Sequence, residues 1–64
     1  MTASYKIDKC YLGGWCCYFY AGGYPNTDEH GTNGTGVKIY ETKEKAEAAG
    51  KRYIKKMAKN GFTV

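Results

Sequence analysis

Gly13-Gly14 stands between two runs of strand-forming residues, and this pair constrains the fold more than any other feature of the chain. Residues 4–12 (SYKIDKCYL) read as one β-strand, and the aromatic-rich residues 15–21 (WCCYFYA) read as its returning partner. Two glycines between such runs signal a two-residue hairpin turn. That turn sets a register, with Leu12 opposite Trp15, Tyr11 opposite Cys16, Cys10 opposite Cys17 and Asp8 opposite Phe19. Strand side chains alternate between faces, so the register sorts them. One face receives Cys10, Leu12, Trp15, Cys17, Phe19 and Ala21, and as the greasier of the two it is expected to form the core. The other receives Tyr5, Ile7, Lys9, Tyr11, Cys16, Tyr18 and Tyr20.

Residues 22–36 (GGYPNTDEHGTNGTG) hold most of the nine glycines and the only proline, so they read as a loop. So long a loop in so short a chain is either functional or mobile. Residues 37–41 (VKIYE) read as a third strand, with Val37 and Ile39 joining the core and Lys38 and Tyr40 joining the tyrosine face. Thr42 suits an N-cap, and Glu44 complements the positive end of the helix dipole. The helix is predicted from about Lys43 to Asn60, closed by Gly61 at C′ with Phe62 folding back on Met57. At 100° per residue, Ala46, Ala49, Gly50, Tyr53, Ile54 and Met57 share one arc, the one expected to pack on the sheet. Lys45, Arg52, Lys55, Lys56 and Lys59 share another and form a basic stripe. The expected architecture is α+β: a three-stranded antiparallel sheet packed on one face by a single C-terminal helix (β-β-β-α), with residues 1–64 as one domain.

With the helix on one side, the tyrosine face is left uncovered. Tyr5, Lys9, Tyr11, Tyr18, Tyr20, Lys38 and Tyr40 then make an aromatic-basic platform, and exposed patches of this kind mark binding sites. Seven of the 64 residues are tyrosine, a side chain suited to interfaces because it offers contact area and a hydroxyl at low entropic cost. Ten Lys/Arg against six Asp/Glu, a net charge of +4, leans toward acidic partners. Such a platform could stack bases while its lysines pair phosphates, lie in a duplex groove, or form a homodimer interface. The basic stripe fits either phosphate contact or a solvated helix face.

Catalytic machinery is not visible. Asp28-Glu29-His30 lies in the Gly-rich loop without a nucleophile, and no phosphate-cradling glycine motif opens a helix. The chain is therefore expected not to be an enzyme. A zinc site needs about four well-spaced ligands, whereas Cys10, Cys16, Cys17 and the lone His30 lack that spacing, so neither metal nor cofactor is expected. Three clustered cysteines make a poor disulfide framework; Cys10 and Cys17 are expected as buried thiols, with a cross-strand bond between them as the alternative. No apolar stretch is long enough to span a bilayer and the first residues carry no signal-peptide core, which gives a cytoplasmic expectation with no membrane partner.

Gly13-Gly14-Trp15 at the start of a strand, and Tyr40-Glu41-Thr42-Lys43-Glu44-Lys45-Ala46 opening a helix, resemble the AP2-like, arm-type DNA-binding domain of phage and transposon integrases. The resemblance implies a three-stranded sheet that reads DNA through the face turned away from the helix, which here is the tyrosine face. Small stand-alone chains of this kind also look like phage accessory proteins that inhibit host enzymes or defence complexes such as CRISPR effectors. Two partner classes follow: nucleic acid, DNA rather than RNA, or a host protein held through the same face and the loop 22–36.

Overall fold

A computed structural model describes all of residues 1–64. Strand β1 (Ala3–Lys9) pairs antiparallel with β2 (Trp15–Ala21), and β2 is in turn paired with two short strands, β3 (Tyr24–Pro25) and β4 (Val37–Tyr40). Helix α1 (Lys43–Lys59) packs on β1, β2 and β4. The expected α+β architecture, an antiparallel sheet with one C-terminal helix, is the one observed.

The sheet has four strands rather than three: the expected third strand is β4, and Tyr24–Pro25, expected as part of the loop 22–36, adds the short β3. β3 pairs with Tyr20 and Ala21, whereas β4 pairs with Trp15 to Tyr18. Phe19 lies between them: its N–H donates to the Gly36 carbonyl and its carbonyl accepts from the Asn26 N–H, both at 2.8 Å. The segment from Asn26 to Gly36 is thus an excursion that leaves and rejoins the same edge of β2.

The hairpin register differs from the expected one. Lys9, not Leu12, lies opposite Trp15, and Asp8, Ile7 and Tyr5 face Cys16, Cys17 and Phe19. The shift is three residues, an odd number, so every β1 side chain points to the face opposite that expected from β2. The physical reason lies in the turn. Cys10 to Gly14 form the loop, closed by Cys10 N–H to the Gly14 carbonyl and Gly13 N–H to the Cys10 carbonyl, each 3.1 Å. Gly14 has φ +81, and a Cβ there would lie 2.8 Å from the Tyr40 carbonyl oxygen. The two-residue turn is made instead by Gly22-Gly23, flanked by the Ala21–Tyr24 pair, with φ +63 and +84, both positive as a type I′ turn requires.

The shift buries Ala3 and half-buries Tyr5 and Ile7 under the helix, in exchange for Cys10 and Leu12. The core comprises Ala3, Cys17, Phe19, Ala46, Ala49, Tyr53 and Met57. Phe19 and Tyr53 meet edge to face with ring centroids 4.8 Å apart. Gly50 is buried against the Tyr5 ring, which occupies the place a Cβ would take. Gly50 thus lets the helix approach the sheet closely, with the Tyr5 ring in the space. Val37 and Ile39 do not join the core. They pair with Tyr18 and Cys16 on the uncovered face, and Ile39 is 59 % exposed.

The helix ends follow the sequence closely. The Thr42 hydroxyl accepts from the Lys45 N–H at 3.2 Å. At the other end, the Phe62 and Gly61 N–H groups reach the Met57 and Ala58 carbonyls at 3.0 and 3.1 Å, a Schellman closure. The tail then bonds to the N-terminal segment through Ala3 N–H to the Thr63 carbonyl, 2.8 Å, and Thr63 N–H to the Met1 carbonyl, 2.9 Å.

Candidate anion-binding cleft and the open sheet face

The register decides where each expected site residue stands. Directly paired strand residues share a face. Tyr18 and Tyr20 lie on the uncovered face with Ser4, Lys6, Asp8, Cys16, Val37 and Ile39. Tyr5 and Lys9 lie on the helix side, opposite Phe19 and Trp15, and so do Lys38 and Tyr40, opposite Cys17 and Trp15. Tyr11 belongs to neither strand; it projects from the hairpin loop, 95 % exposed. The seven-residue platform therefore does not form. The odd register shift and the facing of β4 divide its members between the two sides of the sheet.

Part of that set is regrouped elsewhere. Lys38 and Tyr40 from β4 meet Arg52 and Lys56 from α1 around a cleft of about 240 Å³ floored by Phe19, Ala49 and Tyr53. Glu29 and His30 of the long loop form its remaining wall. Ala49, Arg52, Tyr53 and Lys56 are neighbours on one helix face by their three- and four-residue spacing. Of the basic stripe, Arg52 and Lys56 thus line the cleft, Lys55 and Lys59 continue it along a shallow depression, and Lys45 stands apart with Glu41 at 3.6 Å.

The loop is held in place. The Tyr53 hydroxyl donates to the Tyr20 carbonyl at 2.8 Å and accepts from the Asn26 side-chain amide at 3.0 Å, tying the excursion to the core. Thr32 is 1 % exposed and its hydroxyl donates to the Glu29 carbonyl at 2.8 Å. The Thr35 hydroxyl donates in turn to the Thr32 carbonyl at 2.5 Å. These bonds fix the backbone of Glu29, whose carboxylate accepts from Lys56 Nζ at 2.8 Å with only 14 % of its side chain exposed. Sequence reasoning placed Asp28-Glu29-His30 in the loop without a role; His30 is exposed, while Glu29 is half-buried against the helix. The missing signal was long-range: only the return of the excursion to Phe19 brings them against α1.

Three cations face one carboxylate in the cleft, a formal excess of two positive charges with His30 neutral. Burial pushes the Tyr40 phenol above its ordinary range, with Cys17 and Glu29 adding to the rise and Arg52 opposing it. The phenol therefore stays protonated and can donate a hydrogen bond to an acceptor in the cleft. Lys38 Nζ lies 5.6 Å from the centre of the Tyr40 ring. Anions are what such a site favours, because its donors converge where protein partly excludes water. No three His, Cys, Asp or Glu side chains gather in a group able to hold a metal ion.

The uncovered face is different in chemistry. Lys6 and Asp8 offset one another, and apart from Lys9 at its rim the exposed side chains nearest the hairpin are apolar: Tyr11, Leu12 at 82 % and Ile39 at 59 %. With Tyr18 they surround a hollow of about 330 Å³. Beside it Cys10 and Cys16 form a disulfide, their Cα atoms 5.7 Å apart and within bridging range. Cys10 is thus not a free thiol and its partner is not Cys17, which remains free and wholly buried on the helix side. The pairing also differs from the expectation that three clustered cysteines make a poor disulfide framework, and disulfides persist in oxidising compartments. No helix is long and apolar enough to cross a membrane. Comparison with protein-family models, with curated proteins and with solved structures returned no match.

Proposed function

We propose that this chain is a non-enzymatic nucleic-acid-binding module that meets phosphates through the loop–helix cleft and the adjoining turns of α1. The observation that carries the proposal is the convergence of Lys38, Arg52 and Lys56 with the Tyr40 phenol in one cleft, extended by Lys55 and Lys59. From Lys51 to Lys59 the helix carries five basic residues and no acidic one, so the charge is concentrated rather than dispersed. The contact is with the backbone, which dominates affinity in such complexes. Duplex DNA is the expected form, since its two strands present phosphates at higher density than a single strand does. The arm-type integrase resemblance supports DNA as the ligand but favours the sheet face for contact, where Lys6 is balanced by Asp8.

The test is fluorescence anisotropy with a labelled duplex of mixed sequence, titrated across salt. Affinity that falls by about tenfold or more between about 50 and 200 mM salt supports the proposal. No binding at the low end removes it.

A second proposal rests on a separate observation. The apolar group Tyr11, Leu12, Tyr18 and Ile39 is larger than scattered surface residues require and suits a protein partner, either an inhibited host protein or a second copy of the chain. Light scattering separates these: a clean monomer removes the homodimer. A captured protein that is lost with Leu12→Ser supports the heterologous partner.

A further inference from the structure

The cleft already holds an anion, and it belongs to the protein. Glu29 is carried there by an excursion that no strand or helix needs, since β3 and β4 both continue along the same edge of β2. Its backbone is fixed from Asn26 and Thr32, independently of its carboxylate. The carboxylate is mostly enclosed, is bonded to Lys56, and leaves Arg52 and Lys38 without an ion-pair partner in the same cleft. Among the chain's ion pairs this one joins the loop to the helix across 27 residues of sequence, whereas Lys45–Glu41 joins neighbours four apart.

We infer that Glu29 is an internal stand-in for a phosphate: the cleft is a subsite for one phosphate group of the nucleic-acid ligand, and binding displaces the Glu29 carboxylate from Lys56. This deepens the nucleic-acid proposal and rests on it. The size of the cleft, about 240 Å³, suits one phosphate group and is below the range usual for larger organic ligands. The donor set suits phosphate too: the fork of Arg52, the ammonium groups of Lys38 and Lys56, and the protonated Tyr40 hydroxyl. Displacement is a mechanism of specificity as well as restraint. A weak or singly charged anion gains nothing by exchanging with a carboxylate already in place. A phosphate carried on a polyanion, held also by Lys55 and Lys59, can exchange with it.

The inference has a directional consequence. Glu29 competes with the ligand, so apparent affinity is reduced by the fraction of molecules in which the cleft is closed. Glu29→Gln keeps the shape of the side chain and removes its charge. With the labelled duplex, the variant is expected to bind roughly threefold or more tightly than the unmodified chain, and with a steeper salt dependence by up to about one unit of slope. Lys56→Gln is expected to weaken binding in both backgrounds, but more in Glu29→Gln than in the unmodified chain, where the Glu29 carboxylate competes for Lys56, and so to abolish most of the gain. Circular dichroism and thermal melts confirm that each variant is folded. Affinity of Glu29→Gln that is unchanged or weaker in a folded protein overturns the inference, as does a gain that survives Lys56→Gln.

If no variant binds the duplex, the nucleic-acid proposal fails and the cleft is read with inorganic phosphate alone, by amide chemical-shift titration. Binding to Glu29→Gln but not to the unmodified chain supports displacement. Equal binding by both, or by neither, overturns it.

Discussion

The two sides of the sheet have exchanged the roles that the strand pattern suggests. The uncovered side carries Tyr18, Tyr20, Val37 and Ile39, with Lys6 offset by Asp8, and ends in the exposed Tyr11 and Leu12. The helix side, expected to be a plain core, opens at its β4 edge into a cleft with Lys38, Arg52, Lys56 and Tyr40 around Glu29. The apolar group beside the hairpin thus lies on one surface and the unbalanced positive charge of the cleft on the other. A small domain has little surface to spare, and separating the two chemistries lets each act without neutralising the other. The difference teaches that an aromatic-basic composition does not imply an aromatic-basic patch: the same residues, redistributed by register, make an apolar surface and an anion site.

The strongest way to break both surfaces together is at Gly50. Valine there would overlap the Tyr5 ring, separating α1 from β1. A loss of about 3 kcal/mol or more is expected in chemical denaturation, enough to unfold much of a domain of this size. Even Gly50→Ala is expected to destabilise, although alanine favours a helix by about 1 kcal/mol; a gain in melting temperature would contradict the packing described.

Charge removal sharpens the contrast between the surfaces. Lys38→Gln combined with Arg52→Gln is expected to weaken duplex binding by roughly tenfold or more at low salt and to reduce the salt slope by about two units. Tyr11→Ser combined with Leu12→Ser is expected to leave both quantities unchanged within about twofold, while improving solubility. Binding measured for the two double variants side by side assigns the phosphate contact to one surface or the other.

Tyr53→Phe separates the cleft from the core. The ring remains against Phe19, but the Tyr20 carbonyl and the Asn26 amide each lose a partner. A stability loss of about 1–2 kcal/mol is expected. Hydrogen exchange is expected to rise in residues 26–36 and to stay unchanged in β1 and β4.

An effect on pH dependence is confined to alkaline solution. Burial pushes the Cys17 thiol up to about 11, from an ordinary value of 9.0. In the unfolded chain the thiol ionises first, so its contribution to stability is fully present below pH 9 and is lost as pH rises from 9 to 11. Melting temperature is expected to decline across that window more in the unmodified chain than in Cys17→Ala, and equal slopes would contradict it.

Much of the fold was legible because its signals are local. Thr42, the periodicity of Ala46 to Met57, and Gly61 with Phe62 placed the helix almost to the residue. β2 and the start of β4 were equally clear. The register of β1 was not, because the chain offers two Gly-Gly pairs and only Gly22-Gly23 makes a two-residue turn. At Gly13-Gly14 the close approach of the Tyr40 backbone and the Cys10–Cys16 bond favour a longer loop, and neither can be seen from the hairpin's own residues. An error of three residues there, together with the reversed facing of β4, moved Tyr5, Lys9, Lys38 and Tyr40 to the wrong side. The basic stripe was legible in part: Arg52 and Lys56 share a helix face by spacing alone, but their partners Glu29 and His30 arrive through the return of the excursion to Phe19.

The central claim is that nucleic acid meets the loop–helix cleft and not the uncovered sheet face. Amide chemical-shift mapping during titration with duplex DNA tests it most directly. Shifts grouped at Glu29, Lys38, Tyr40, Arg52 and Lys56, with Lys6, Tyr18 and Ile39 unmoved, are the predicted result. Shifts grouped at Lys6, Tyr18, Tyr20 and Ile39, with the cleft residues silent, would contradict it.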